Sequence, residues 1–300
     1  MKSKLIVYLD LIFGVFALSS SAVFAKSAAA PSAVTAFYRL FFASLILSPF
    51  LFFNHKNKEE FKNLSKSQWK LGLTSGIFLA IHYILWFESL KLTSAANSTV
   101  FATMQPLYSM AGERIIYKKK FDRKAIWGVL TALIGCGIIA WGDFQLSPRA
   151  ILGDLLALIS AGFITAYFFV GKKVRKNLDV VPYSIIGYSG ASIFLAIYSL
   201  CFNYSFLNYS RHTWLCFIGL ALVSTVMGQM MFNWLLKWLS PTDVTVSILG
   251  ETIGTCILAW IFLHEGISLL QAAGILVILL GIGIFMVEEN KRKARNPSLE

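Results

Sequence analysis

The chain has 300 residues, of which 57% are hydrophobic and only 14% charged, and its mean hydropathy is +0.67. A soluble domain averages about 45–50% apolar and about 25% charged residues, so this composition excludes an ordinary water-soluble globule, a disordered chain and a disulfide scaffold. The net charge of +12 comes from 27 basic and 15 acidic residues. The basic residues form short clusters between apolar runs rather than one face of a polar domain, so a nucleic-acid partner is not expected.

In chain order, apolar segments fall at residues 5–25, 33–53, 71–90, 95–116, 125–141, 151–170, 181–202, 214–236, 244–263 and 269–287. Each approaches the ~20 residues a helix needs to cross hydrocarbon. Strand-like alternation is absent, which argues against a β-barrel. The expected fold is therefore all-α, with ten transmembrane helices. Lysine and arginine then orient them. The N-terminus, the even-numbered connections and the C-terminus together hold 22 of the 27 basic residues. The opposite side holds Lys26, Lys91, Arg149 and Arg211, and Arg39 lies within a span. This asymmetry predicts a multi-pass protein with both termini in the cytoplasm. A cleaved secretory signal is the competing reading of the first 25 residues, and Asp10 inside the apolar run speaks against it.

The sequence also matches itself at an offset of 146 residues. Residues 128–139 (GVLTALIGCGII) align with 274–285 (GILVILLGIGIF), with identities at Gly128/Gly274, Gly135/Gly281, Gly137/Gly283 and Ile138/Ile284. The register reaches back to Lys91/Lys237 and Ser94/Ser240. Two halves, 1–144 and 145–300, follow. Five spans per half is an odd number, so the halves are expected to be inverted. Inverted repeats mark secondary transporters, whose substrate sites lie near the midplane between the halves.

Three stretches now add a resemblance: AFYRLFFASLIL around Arg39, LWFESLKLTSAANSTVFATMQPLY, and ILGETIGTCILAWIFLHEGISLLQAAGILVILLGIGI. The chain resembles the drug/metabolite transporter superfamily in its ten-helix EamA-type branch. That resemblance implies an inner-membrane carrier, usually an exporter of amino acids or other small metabolites, with a cavity lined by spans 1, 3, 4, 6, 8 and 9. Pro106 and Glu265 fit the family pattern. Thr252, at the place repeat-related to Pro106, departs from it, and so do Lys119, facing Glu265, and Glu88.

Ionisable groups in hydrocarbon are costly and face a cavity or the bundle interior. Glu251 stands about ten residues into the ninth span, ~15 Å deep at 1.5 Å per residue, and its repeat partner is Gln105. Glu251 is expected either to carry a proton or pair with a substrate amine, or to bond a neighbouring helix. Asp10, Gly14, Ala17 and Ser21 share one helical face, which suits a structural or gating role for Asp10, mirrored by Asp154. His82 and Trp86 stack one turn apart in the third span, and Ser98, Ala102 and Gln105 share a face of the fourth, before Pro106. Thr225, Gln229 and Asn233 form a polar stripe on the eighth span, as a cavity wall or as interhelical glue. Tyr167 is the aromatic candidate of the sixth span. Arg39, in the outer part of the second span, is expected to snorkel or to form an ion pair, with Glu88 as the candidate partner, in preference to the alternative of substrate contact.

The cysteines Cys136, Cys201, Cys216 and Cys256 lie in apolar runs without metal-ligand spacing and read as small buried hydrophobes. No nucleotide loop, zincin helix or nucleophile elbow is present, so no cofactor, metal or catalytic residue is expected. The expected partners are a small-molecule substrate, the lipid bilayer and a proton. Uptake or exchange of a nucleoside-like or amino-acid-derived metabolite is the alternative to export, and a membrane receptor or scaffold is the alternative to transport.

Overall fold

The computed structural model describes residues 4–142, 147–264 and 266–295. Among them there is no strand. The helices are α1 (Lys4–Ser27), α2 (Ser32–Phe53), α3 (His55–Lys62), α4 (Lys66–Leu92), α5 (Ala95–Ala102), α6 (Gln105–Ile116), α7 (Arg123–Gly142), α8 (Pro148–Val174) and α9 (Val180–Cys201). After them come α10 (Arg211–Gly219), a π-helical stretch (Leu220–Gln229), α11 (Met230–Leu235), α12 (Pro241–Ile248), α13 (Gly250–Leu263) and α14 (Leu269–Arg295).

Nine segments among the described residues are long and apolar enough to cross a membrane. The remaining expected span, 95–116, consists of α5 and α6, two helices too short to cross singly. Side chains are distributed inside out relative to a soluble protein. Phe53, Trp141 and Leu269 are exposed, whereas Ser75, Asn97, Thr245 and Asn233 are buried. An apolar exterior of this extent is a surface for lipid. The short helix α3 interrupts the lysine-rich connection after α2. Its cap is Asn54, whose side chain accepts from the backbone N–H of Lys56 and Asn57.

Contacts between the halves come in related pairs. Helix α1 packs against the π stretch and α13, and its counterpart α8 packs against α4, α5 and α6 of the other half. Helices α2 and α9 pair with each other, as do α7 and α14. In the last pair the repeat-related glycines exchange partners. A Cβ on Gly128 would lie 3.0 Å from the Gly281 carbonyl oxygen, and one on Gly135 would lie 2.7 Å from that of Gly274. The pairing runs antiparallel, and hydrogen at these positions lets the two backbones touch. Gly137 and Gly283, also repeat-related, would have nothing within 4 Å of an added Cβ and leave the seam alone.

Two of the membrane segments break at equivalent places. Helix α5 ends at Ala102 and α6 starts at Gln105; helix α12 ends at Ile248 and α13 starts at Gly250. At the first break Pro106 stands in the opening turn of α6 and lacks the N–H to continue the ladder. The Thr103 hydroxyl donates to the Val100 carbonyl, 3.1 Å away. At the second break no proline is present. The turn tightens through Leu249 N–H to the Val246 carbonyl (3.2 Å) and Thr252 N–H to the Leu249 carbonyl (3.3 Å). Thr103 and Thr252 join the two breaks, hydroxyl to hydroxyl, at 3.0 Å.

Candidate functional site

The broken segments set the site. Gln105 opens α6 and Glu251 lies in the first turn of α13, so the repeat partners occupy the same position on two half-helices from opposite halves. A buried cavity separates them. Its wall holds Gln105, Glu251, His82, Trp86 and Gln229, together with Tyr83, Phe168, Thr103 and Leu18. Five of the sequence candidates therefore converge. The space is about 20 Å³, room for about one water molecule and too small for a metabolite, a form called closed below.

The walls are held from several sides. The His82 Nδ1–H donates to the Ser160 carbonyl of α8, 3.0 Å away. A carbonyl only accepts, so this bond places the proton on Nδ1. The imidazole lies stacked near Trp86 with centroids 5.7 Å apart. Gln105 Nε2 donates to the Ala102 carbonyl (3.1 Å), closing the end of α5. The Glu251 carbonyl accepts from the Ser19 hydroxyl at 3.2 Å, and Thr255 Oγ1 donates to the Ser19 carbonyl at 3.3 Å, which ties α13 to α1. Several polar atoms around this space are buried without a hydrogen-bond partner among the described residues: Gln105 Oε1, Gln229 Nε2 and Trp86 Nε1. Leaving such groups unpaired costs about 1–3 kcal/mol each. They form an unspent set of donors and acceptors facing one small space.

The polar stripe of the eighth span divides. Its helix winds with π geometry over Leu220–Gln229, so the i, i+4, i+8 spacing does not keep three side chains on one face. Thr225 turns to Arg39, Gln229 reaches the cavity, and Asn233 does neither. Asn233 Nδ2 instead donates to the hydroxyls of Tyr167 (2.5 Å) and Tyr188 (3.2 Å). Asn233 and Tyr167, both expected at the cavity, thus form a buried knot between α8, α9 and α11. Asp10 is half-buried on α1 outside the cavity and is not without a partner; the same holds for its counterpart Asp154, which is buried.

Arg39 differs most from expectation. Pairing with Glu88 does not occur: Glu88 meets Lys91 at 3.2 Å on the surface. The Arg39 side chain is fully buried. Its Nε donates to Thr225 Oγ1 (2.7 Å), one terminal nitrogen donates to Ser21 Oγ, and the guanidinium lies 4.2 Å from the Tyr83 ring centroid. The lone cation in an apolar run was the visible signal, but snorkelling was the wrong consequence to draw. Tyr83, a cavity wall residue, was missed because it adjoins His82 in sequence. Cys201 is exposed, whereas the other three cysteines are buried as expected. Glu265, matched to Lys119 by the repeat, lies outside the described residues. Among the described residues no cluster of three or more potential metal ligands occurs.

With this geometry in place, relatives can be compared. The description of the EamA-like transporter family matches residues 5–141 and again 151–287. The chain belongs to the EamA-like transporter family. It is a multi-pass membrane protein that carries two successive matches to the family. An uncharacterized transporter YdfC of Bacillus subtilis (strain 168) is 24% identical over 258 residues, covering 85% of this chain and 82% of its own. An uncharacterized transporter of Archaeoglobus fulgidus is 24% identical over 271 residues, covering 88% and 90%. A protein of known crystal structure, 15% identical, superimposes with a TM-score of 0.77 over 95% of this chain and 98% of its own. At that identity the likeness concerns the fold alone.

Proposed function

We propose that this EamA-family transporter exports a small, amino-acid-like organic metabolite by alternating access of the cavity between Gln105 and Glu251. The observation that carries the reading is the cavity's construction from repeat-equivalent half-helix ends of opposite halves. Broken helices at the interface of inverted repeats are where carriers place their substrates. The halves 1–144 and 145–300 are read as inverted five-helix units of a ten-span bundle. The matching contacts made by α1 and α8, and the exchanged glycines of α7 and α14, support this. The lysine-rich end is read as cytoplasmic, with both termini there, in the inner membrane.

Glu251 and Gln105 supply acceptors, Gln229 and Trp86 supply donors, and Tyr83, His82 and Phe168 supply flat walls. That mixture suits a compact molecule with a polar head and an apolar body rather than an inorganic ion. Glu251 serves as substrate contact or proton carrier. Asn233, Tyr167 and Asp10 are read as supports of the moving helices. The chain acts as a carrier and not as an enzyme. Uptake or exchange through the same cavity is the second reading.

The test is counterflow. Proteoliposomes preloaded with a broad metabolite mixture are diluted into labelled mixture, and accumulated compounds are identified by mass spectrometry. Accumulation of a compact polar-headed metabolite, lost in Gln105→Ala, supports the reading. No accumulation across the mixture returns the receptor or scaffold alternative.

A further inference from the structure

Arg39 has a place in the bundle that its structural contacts do not explain. It is a fully buried cation in α2, and no carboxylate lies within ion-pair distance of it among the described residues. The desolvation of a charge inside a membrane protein costs several kcal/mol unless a partner offsets it. Thr225 and Ser21 take two of its nitrogens, and Tyr83 lies beneath its plane. The remaining terminal nitrogen, Nη2, is buried without a partner. The neighbours set where that nitrogen stands. Tyr83 is shared between Arg39 and the cavity wall. Ser21 lies one turn beyond Leu18, and Thr225 lies one turn before Gln229, both of them cavity residues. Glu251 is the carboxylic acid in the wall of the cavity that Tyr83 also lines. Arg39 thus stands behind Tyr83, next to a cavity whose wall carries the acid Glu251 and the unpaired Trp86 and Gln229 N–H donors.

We infer that Arg39 is the specificity-determining residue of this carrier and receives a carboxylate of the substrate, whose amine faces Glu251. The inference rests on the transport reading above and narrows its substrate class to amines that also carry a carboxylate. A guanidinium with two nitrogens held and one reserved is oriented before the ligand arrives. In the closed form Tyr83 separates it from the cavity. Opening moves the Tyr83 ring aside and joins the two spaces, which also provides the volume that about 20 Å³ lacks. A purely structural Arg39 would pin α2 to α1 and to the π stretch and would have no effect on which ligands are accepted.

The experiment uses a panel of free amino acids and their matching α-amides, which differ only in the anionic group. Exchange of each pair is measured in proteoliposomes with wild type, Arg39→Lys, Arg39→Gln and Thr225→Ala. The expected result is at least one free acid exchanged about 10-fold or more faster than its amide by wild type, the factor a charged hydrogen bond confers. Arg39→Lys retains a preference, and Arg39→Gln brings acid and amide within about 2-fold of each other. Thr225→Ala removes a tie to Arg39 but keeps the cation, so it keeps the preference even where stability falls. A preference that survives in Arg39→Gln overturns the inference. So does equal exchange of acids and amides by wild type, or loss of preference in Thr225→Ala together with Arg39→Gln. If wild type exchanges no member of the panel, the carboxylate inference fails, while the transport reading is judged separately by the broader counterflow mixture.

Discussion

The Lys119 ammonium lies 2.8 Å from Glu113 Oε2, at a place where the carboxylate is 1% exposed. Helix α6 has just ended, and Lys118 adopts a left-handed φ of 52° that turns the chain back on itself. The Lys119 N–H bonds the Glu113 carbonyl at 3.2 Å, and its ammonium also reaches Glu289 at 3.3 Å and Ser240 Oγ at 3.1 Å. Glu289 is held in turn by Arg292 (2.6 Å), and Glu113 Oε1 accepts the Thr242 N–H at 2.8 Å. This cluster joins α6 to α12 and α14 across the two halves, at the floor of a lysine-rich vestibule of about 950 Å³.

Under the proposed alternating access, opening at the basic end would have to break this cluster. Lys119→Met removes its centre and leaves Glu113 buried and unpaired, a change that costs about 3–5 kcal/mol in comparable sites. The expected outcome is a shift toward the form open at that end. A single cysteine at Thr245, one turn below the cluster, should react at least about 10-fold faster with a water-soluble thiol reagent in a background lacking the native cysteines, since about 1.4 kcal/mol is tenfold. The double exchange Glu113→Lys with Lys119→Glu should return part of the protection. An unchanged labelling rate in Lys119→Met would remove the cluster from gating.

Glu251→Gln keeps the size and most of the hydrogen-bonding capacity of the side chain and abolishes its titration. If Glu251 carries a proton, this variant exchanges substrate but no longer responds to an imposed pH gradient. The measurement is substrate flux in proteoliposomes with and without the gradient. A gradient response equal to that of wild type would sink proton coupling at this residue.

Much of this arrangement was legible in the sequence, because the bilayer imposes a length on each span and a cost on each polar group. Glu251, Gln105, His82, Trp86 and Gln229 stood out for that cost and do meet. The broken fourth span was signalled by Pro106. The break at Leu249 was not, since Gly250 is a weak signal and only the repeat relates it to Met104. Asn233 was misplaced because a helical wheel assumes uniform winding, which Leu220–Gln229 does not have. Arg39 depended on contacts from α1 and the π stretch, 18 and 186 residues away in sequence, which no local pattern records.

The seam between α7 and α14 supplies a stability test with an internal control. A Cβ on Gly281 would meet the Ala132 nitrogen at 2.3 Å, while one on Gly283 meets nothing within 4 Å. Gly281→Ala should therefore destabilise by about 1–3 kcal/mol through forced separation of two backbones. Gly283→Ala should be neutral or stabilising by up to about 1 kcal/mol, from helix propensity alone. Thermal unfolding in detergent compares them. Equal melting temperatures would mean that the seam is not tightly packed.

At the basic end, Asp179 sits ahead of α9 and joins Lys56 of α3 at 2.5 Å. Partial burial pushes the Asp179 carboxyl up, but the bond and charge of Lys56, with Arg175 beside it, win and hold it below its ordinary value. A depressed carboxyl stabilises the folded form above its unfolded pKa of about 3.9 and loses that contribution as pH falls through the lower folded value. The Lys56 side chain is 66% exposed, so water screens the pair and its contribution is small. Asp179→Asn should melt slightly below wild type at neutral pH, and the gap should close in acid below the folded value. A gap that widens on acidification would reverse the assignment.

The closed cavity has a consequence for the membrane itself. A space that holds about one water cannot string a file of waters from one face to the other, and proton conduction requires such a file. In this form the cavity between Gln105 and Glu251 offers no such file. Under the proposed alternating access, a continuous water path through this point would have to wait for the cavity to widen.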